Sequence, residues 1–179
     1  MEISSIFVDR LYAFKYPDSD GIDEFDRLFK IWQDPEYLEN FFESNKEDLQ
    51  RGFFEPAPTV EEAVIITQLH AKEFERRLRK LAISTYESLD QIFKPLSENE
   101  DGYLFPRHKA YGLRHKSWLR IYALKIGHRY YVTGGAIKLT RGMKDRQHTV
   151  DQLLKIKRCF SFFEEQGISD IDGARELDL

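Results

Sequence analysis

The sequence predicts an α+β fold in which several helices pack on a small, twisted antiparallel sheet. A strand-like segment opens the chain, helical periodicity covers residues 23–84, and alternation typical of strands returns over residues 118–139. The predicted sheet is therefore an N-terminal strand joined to a C-terminal three-stranded meander. The 179 residues, with 41% hydrophobic content, suit a single domain with one core.

The N-terminal half begins with a predicted strand over residues 3–15 and then becomes helical. Residues 17–21, PDSDG, form a turn signal after this strand. Apolar side chains then recur at helical spacing, at Phe25, Leu28, Phe29 and Trp32. The first helix is thus expected to end before Pro35.

Two further helices are indicated by their N-terminal signals. Asp34 is placed to cap a helix with Pro35 at its first position, running to about Arg51. Thr59 and Glu62 have the spacing of a capping box and predict a long helix that ends near Ser84.

The C-terminal half predicts a meander followed by a closing helix. Residues 118–126 alternate, Gly127-His128 suits a hairpin turn, and residues 129–133 return as the second strand. Gly134-Gly135 indicates a bulge or a close backbone approach before a third extended piece, residues 136–139. Apolar spacing from Val150 onward predicts the last helix, with Gly167 after its end.

Charge divides the chain into an acidic helical portion, residues 17–84, and a basic sheet portion, residues 102–158. The basic portion holds 14 Lys and Arg against 2 Asp and Glu, although the whole chain carries −4. Such asymmetry is typical of a surface that faces a polyanion. The alternative is that the basic portion neutralises acidic helices packed beside it.

Several classes of site are disfavoured by the residue pattern. Cys159 is the single cysteine, so no internal disulfide is possible, and neither a metal motif nor a nucleotide-binding glycine loop occurs. We therefore expect no metal and no cofactor. Acidic residues lie near the N-terminus where a signal peptide is basic, and no apolar run is long enough to span a membrane. A cytoplasmic protein without a membrane partner is expected.

Phosphate chemistry without a metal is compatible with the remaining residues. Cleavage of RNA by its own 2′-hydroxyl requires a base, an acid and cations around the phosphorane. Arg120 lies in the middle of a predicted strand, Lys138 lies in the third extended piece of the meander, and Arg141 follows shortly after it. His148 and Tyr122 are candidates for proton transfer or base stacking.

The order of strand, helices, meander and helix resembles the RelE/ParE superfamily of bacterial toxins. The resemblance lies in FKPL at Phe93–Leu96, in WLRIY at Trp118–Tyr122 and in GGAIK at Gly134–Lys138, followed by a basic loop and a helix. It covers about residues 90–165 and the opening strand.

This resemblance implies a metal-independent endoribonuclease that cleaves mRNA, often on the ribosome, and is neutralised by a cognate antitoxin. Other members of the superfamily poison DNA gyrase. The positions that match the family's catalytic residues are Arg120, Lys138, Arg141 and His148. Those expected to bind nucleic acid are Lys109, Arg114, Lys116, Tyr122, Lys144 and Arg146.

The chain departs from the family in its size and charge. It is about twice the usual toxin length, and its isoelectric point of about 5.8 is low for usually basic proteins. The acidic half is open to three interpretations: it shields the basic groove, binds a partner, or marks a relative without catalysis. A non-catalytic binding module and a gyrase inhibitor therefore stand as alternatives to the ribonuclease.

Overall fold

A computed structural model describes residues 1–51, 55–96, 107–112 and 117–168. It contains a six-stranded sheet with helices on both faces, and the predicted α+β fold is confirmed. The strands are β1 (Glu2–Phe7), β2 (Leu11–Lys15), β3 (Phe93–Pro95), β4 (Arg107–Tyr111), β5 (Leu119–Ile126) and β6 (Arg129–Ile137). The helices are α1 (Glu24–Ile31), α2 (Pro35–Ser44), α3 (Lys46–Arg51), α4 (Val60–Ile83) and α5 (Gln147–Glu165).

The strand order is β1-β2-β6-β5-β4-β3, and the sheet is mixed rather than purely antiparallel because β2 runs parallel to β6. The opening segment is a hairpin and not one strand. Asp9, with φ of 63°, lies in the turn that folds it back. The predicted third piece of the meander is the end of β6, while β4 and the short β3 extend the other edge of the sheet.

A bulge interrupts the pairing of β6 with β5. Tyr122 pairs with Gly134, whereas the next residue of β5, Ala123, pairs with Val132, so Thr133 is the extra residue. The strand needs glycine at position 135, because a Cβ there would lie 2.6 Å from the carbonyl oxygen of Arg120. The expected bulge and close approach are both confirmed.

The two faces of the sheet carry separate hydrophobic clusters. One face packs against α1, α2 and α4, and its core includes Phe25, Phe74 and Trp118. The other face is covered by α5, with Tyr131 and Phe163 at the centre of the cluster. Alternation along β5 serves both clusters, since successive side chains point to opposite faces.

The predicted helix starts agree with the structure. Asp23 and Asp34 accept hydrogen bonds from backbone N–H groups of α1 and α2, and Pro35 is the first residue of α2. Thr59 and Glu62 form the complete capping box of α4. The helix expected from Pro35 to Arg51 is interrupted at Asn45, where α2 ends and α3 begins. Among the described residues, no helix is both long and apolar enough to cross a membrane.

Candidate nucleic-acid interface

A cavity of about 920 Å³ opens beside α5, where β4, β5 and β6 lie next to the loop that follows β6. This volume is within the range of small-molecule and substrate sites. The described residues that line it are Leu96, Arg107, Lys109, Tyr111, Arg120, Tyr122, Lys138, Arg141, Gly142, Met143, Lys144, Asp145 and Leu153. Six of these carry a positive charge and only Asp145 carries a negative one, so we call it the basic cavity.

Strand register explains why residues distant in sequence meet in the basic cavity. Lys109 of β4 lies opposite Tyr122 of β5, and Tyr111 lies opposite Arg120. Arg120 in turn lies opposite Ala136 of β6, two residues before Lys138. Directly opposed residues share a face of a sheet, as do residues two apart on one strand. Arg120 and Lys138 therefore lie on the same side of the sheet.

The Arg120 guanidinium is oriented by fixed neighbours on two sides. Its Nη1 donates hydrogen bonds to the carbonyl oxygens of Ser117 and Leu119, at 2.6 and 2.8 Å. Its Cζ lies 4.1 Å from the centroid of the Tyr111 ring, a cation–π contact. Burial lowers the pKa of Arg120, but an arginine stays charged at any physiological pH. The Nε and Nη2 groups make no hydrogen bond within the described residues.

The Lys138 amine forms hydrogen bonds to the loop backbone and lies near a second positive charge. Its Nζ donates hydrogen bonds to the carbonyl oxygens of Thr140 and Arg141, the former at 2.7 Å. An ammonium has three N–H donors, so one remains for a ligand. Burial, followed by the positive charge of Arg120, lowers the pKa of Lys138.

Residues 138–146, here called the basic loop, form one wall of the cavity. The backbone N–H of Gly142 donates to Oδ2 of Asp145 at 2.7 Å, and the Thr140 hydroxyl donates to the Gly142 carbonyl oxygen. The contact with Gly142 occupies the carboxylate of Asp145, the one acidic side chain among the described residues that line the cavity. Arg141 and Lys144 are exposed on this loop, and neither forms an ion pair within the described residues.

Two tyrosines give the basic cavity an aromatic component. Tyr122 is buried, and its hydroxyl donates to the sulfur of Met143 at 3.0 Å. Burial raises the pKa of Tyr122, so its hydroxyl keeps its proton. Tyr111 is 40% exposed, so much of its ring is open to a ligand. Thioether sulfur is a weak acceptor, which leaves the Tyr122 hydroxyl available to a stronger one.

Tyr111 and Arg107 belong to the site but were missed from the sequence, because β4 was not predicted. The signal is the alternation in RHKAY, residues 107–111, in which His108 and Ala110 are buried and the other three residues line the cavity. A five-residue segment with two cations and a histidine is as typical of an exposed loop as of a strand. Its assignment as a strand requires knowledge of the strand it pairs with.

The structure does not bring every predicted site residue into the cavity. The ring of His148 packs edge-on against Phe41 of α2 with 5.3 Å between centroids, and its Nε2 lies 3.0 Å from the Ile137 carbonyl oxygen. Arg146 forms a bidentate ion pair with Asp48 of α3. Neither lines the cavity, because α2 and α3 hold both side chains. Arg114 and Lys116 lie outside the described residues.

The predicted residues that do meet are Lys109, Arg120, Tyr122, Lys138, Arg141 and Lys144. Within the described ranges, no group of three or more His, Cys, Asp or Glu side chains is arranged to hold a metal ion. Cys159 is fully buried, and burial raises the pKa of its thiol to about 12, which disfavours a nucleophilic thiolate. No protein-family model, curated protein or solved structure matches the chain.

Proposed function

We propose that the protein is a metal-independent endoribonuclease of the RelE type that binds single-stranded mRNA in the basic cavity. The observation that carries this proposal is that Arg120 and Lys138 meet on one face of the sheet, in a cavity whose described lining includes six cations. The resemblance to the RelE/ParE superfamily adds a cognate antitoxin and ribosome-bound mRNA as expected partners.

The charge of the cavity supports binding of a polyanion. Like charges repel, so clustered cations cost stability unless a counter-charge is nearby. Within the described residues Lys109, Arg120 and Arg141 have no carboxylate at ion-pair distance, and Asp145 is held by the Gly142 backbone. A phosphodiester supplies the missing negative charge and accepts hydrogen bonds from Arg and Lys.

The aromatic ring of Tyr111 supports a single-stranded ligand. Arg120 covers one part of this ring, and the exposed remainder is available to stack on a base. Bases stack on aromatic side chains only when they are unpaired and turned away from a duplex. Proteins that bind single-stranded nucleic acid combine cations that contact its phosphate backbone with aromatic rings on which its bases stack. The basic cavity contains both.

The chemistry we propose is attack of the 2′-oxygen on the adjacent phosphorus with departure of the 5′-oxygen. The lowered pKa of Lys138 increases the minor fraction of molecules in which its amine is neutral, and in our proposal this form accepts the 2′-hydroxyl proton. Arg120 stabilises the charge of the phosphorane, and Tyr122 donates a hydrogen bond to it. The ammonium of Lys109 gives a proton to the 5′-oxygen, so the products are a 2′,3′-cyclic phosphate and a 5′-hydroxyl.

A specific observation favours a second candidate, binding of RNA without cleavage. No histidine lines the cavity among the described residues, and two backbone carbonyls already engage the Lys138 amine. The cations of such a cavity can bind phosphate even if none of its side chains transfers a proton fast enough for cleavage.

Expression in bacteria separates the two candidates. The ribonuclease predicts growth arrest, loss of intact mRNA and new 5′-hydroxyl ends, all relieved by Arg120→Ala. Non-cleaving binding predicts intact mRNA. The matched control is Arg158→Ala, which removes an exposed arginine of α5 that does not line the cavity. Intact mRNA and normal growth at strong expression would contradict the ribonuclease proposal.

A further inference from the structure

We infer that α2 and α3 act as a clamp that positions the basic loop, with Asp48 and Phe41 as positioning residues. The clamp deepens the proposed function, on which it rests, because the loop carries three of the cations that would hold RNA. It also assigns a role to part of the acidic helical portion, whose length and charge distinguish this chain from the RelE/ParE toxins it resembles.

The first contact of the clamp is the ion pair between Asp48 and Arg146. Nε of Arg146 donates to Oδ2 of Asp48 and Nη2 donates to Oδ1, each at 2.6 Å. Two parallel charge-assisted bonds restrain orientation as well as distance. The Asp48 side chain is only 12% exposed, so this pair is better shielded than an ordinary surface pair.

The second contact joins the start of α5 to α2. The His148 ring meets Phe41 edge-on, while Nε2 of the same ring lies 3.0 Å from the Ile137 carbonyl oxygen at the end of β6. Ile137 directly precedes the basic loop, and His148 follows it by two residues. Both ends of the loop are therefore tied to one side chain that α2 supports.

The clamp can restrain the loop only if α2 and α3 are themselves held in place. Their buried apolar side chains anchor them to the core. Leu38, Phe42 and Leu49 are buried in the hydrophobic cluster on the sheet face opposite α5. Phe42 packs against Trp118 with 5.3 Å between ring centroids. The carbonyl oxygen of Trp118 accepts a hydrogen bond from the backbone N–H of Lys138 at 2.8 Å. The helices are thus anchored beside the loop that they restrain.

The loop has a further bond that would transmit this restraint. The buried Thr149 hydroxyl lies within hydrogen-bond distance of the carbonyl oxygens of Met143 and Arg146, at 2.7 and 2.8 Å. Met143 lines the cavity and contacts the Tyr122 hydroxyl. A shift of Arg146 would therefore move the backbone beside Tyr122. Removal of Asp48 would loosen the cavity wall although Asp48 does not line it.

The test compares variants by RNA binding and by amide hydrogen exchange in residues 140–146. We expect Asp48→Asn to speed exchange in this loop and to weaken binding of a single-stranded RNA oligonucleotide about fivefold, the upper range for a partly exposed ion pair. The reversed pair, Asp48→Arg with Arg146→Asp, is expected to restore both towards wild type. Glu39→Gln, which alters an exposed acid of α2, is the control and is expected to change neither.

Two results would overturn the clamp. Unchanged loop exchange in Asp48→Asn would show that the ion pair does not restrain the loop. Weak binding of Arg146→Gln together with wild-type binding of Asp48→Asn would instead show that Arg146 contacts RNA itself, and the reversed pair would then fail to restore binding. If wild-type protein binds no RNA, the proposed function fails, and the exchange measurement still decides on the clamp.

Discussion

Arg120 of β5 stacks its guanidinium on Tyr111 of β4, with 4.1 Å between Cζ and the ring centroid. The two residues are direct partners in the register of these strands. The contact fixes the plane of the guanidinium, and the hydrogen bonds from Nη1 to two backbone carbonyls fix its rotation. Arg120 is therefore oriented before any ligand arrives, which reduces the entropy lost on binding.

The first prediction concerns the ring of Tyr111. We expect Tyr111→Ala to weaken binding of a single-stranded RNA oligonucleotide about tenfold, because stacking of one base contributes about 1–3 kcal/mol. Tyr111→Phe keeps the ring and should bind like wild type. Fluorescence anisotropy with a labelled oligonucleotide measures both. Equal losses in the two variants would show that the hydroxyl matters rather than stacking.

The second prediction is a salt dependence that identifies which lysines contact phosphate. Binding of single strands falls with log salt concentration by a slope of about −0.7 per phosphate neutralised. Lys109→Met should make this slope shallower by about 0.7, since Lys109 lines the cavity. Lys157→Met removes an exposed lysine of α5 outside the cavity and should leave the slope unchanged. The same slope for both variants would contradict a localised site.

The third prediction concerns stability and pH at Asp90, outside the cavity. Its carboxylate accepts hydrogen bonds from Lys125, Tyr130 and Ser88. Burial alone would raise the pKa of Asp90, but these bonds outweigh it and lower the pKa well below its usual range. The unfolded value is about 3.9. The stabilisation is therefore present above about pH 4 and is lost as the pH falls towards the folded pKa.

Thermal unfolding of Asp90→Asn between pH 2 and pH 7 measures this contribution. We expect the variant to be less stable at pH 7 by about 1 kcal/mol, a modest value because the carboxylate is half exposed. The difference from wild type should shrink below about pH 4. Glu39→Gln, an exposed acid of α2, is the control. A difference that stays constant down to pH 2 would rule out the carboxylate as its source.

Local sequence signals predicted those parts of the fold that depend on neighbouring residues. The capping box of α4 involves Thr59 and Glu62, three residues apart, so it is visible in the sequence. Arg120 and Lys138 were expected to converge because alternation along a hairpin determines which face each residue occupies. The glycine pair at 134–135 likewise indicated the bulge.

Features that depend on distant residues were not predicted. The run from Ile3 to Lys15 looks like one strand, and only the turn at Asp9 makes it a hairpin. His148 was expected to be catalytic because it lies nearest the position of the terminal acid/base residue in the family it resembles, whereas in the structure its ring contacts Phe41, more than a hundred residues earlier. Charge and proximity in sequence do not show which way a side chain at a helix start will point.

The most direct test of the basic cavity is the affinity of purified protein for a single-stranded RNA oligonucleotide, with a chelator present. Arg120→Met keeps much of the aliphatic side chain beside Tyr111 and removes the charge, while Arg158→Met removes an equal charge outside the cavity. Circular dichroism checks that each variant is folded. We predict that Arg120→Met binds at least tenfold more weakly than wild type, since a charge-assisted hydrogen bond contributes roughly 1.5–3 kcal/mol, and that Arg158→Met binds like wild type. Equal affinities for Arg120→Met and wild type would contradict a phosphate site at Arg120.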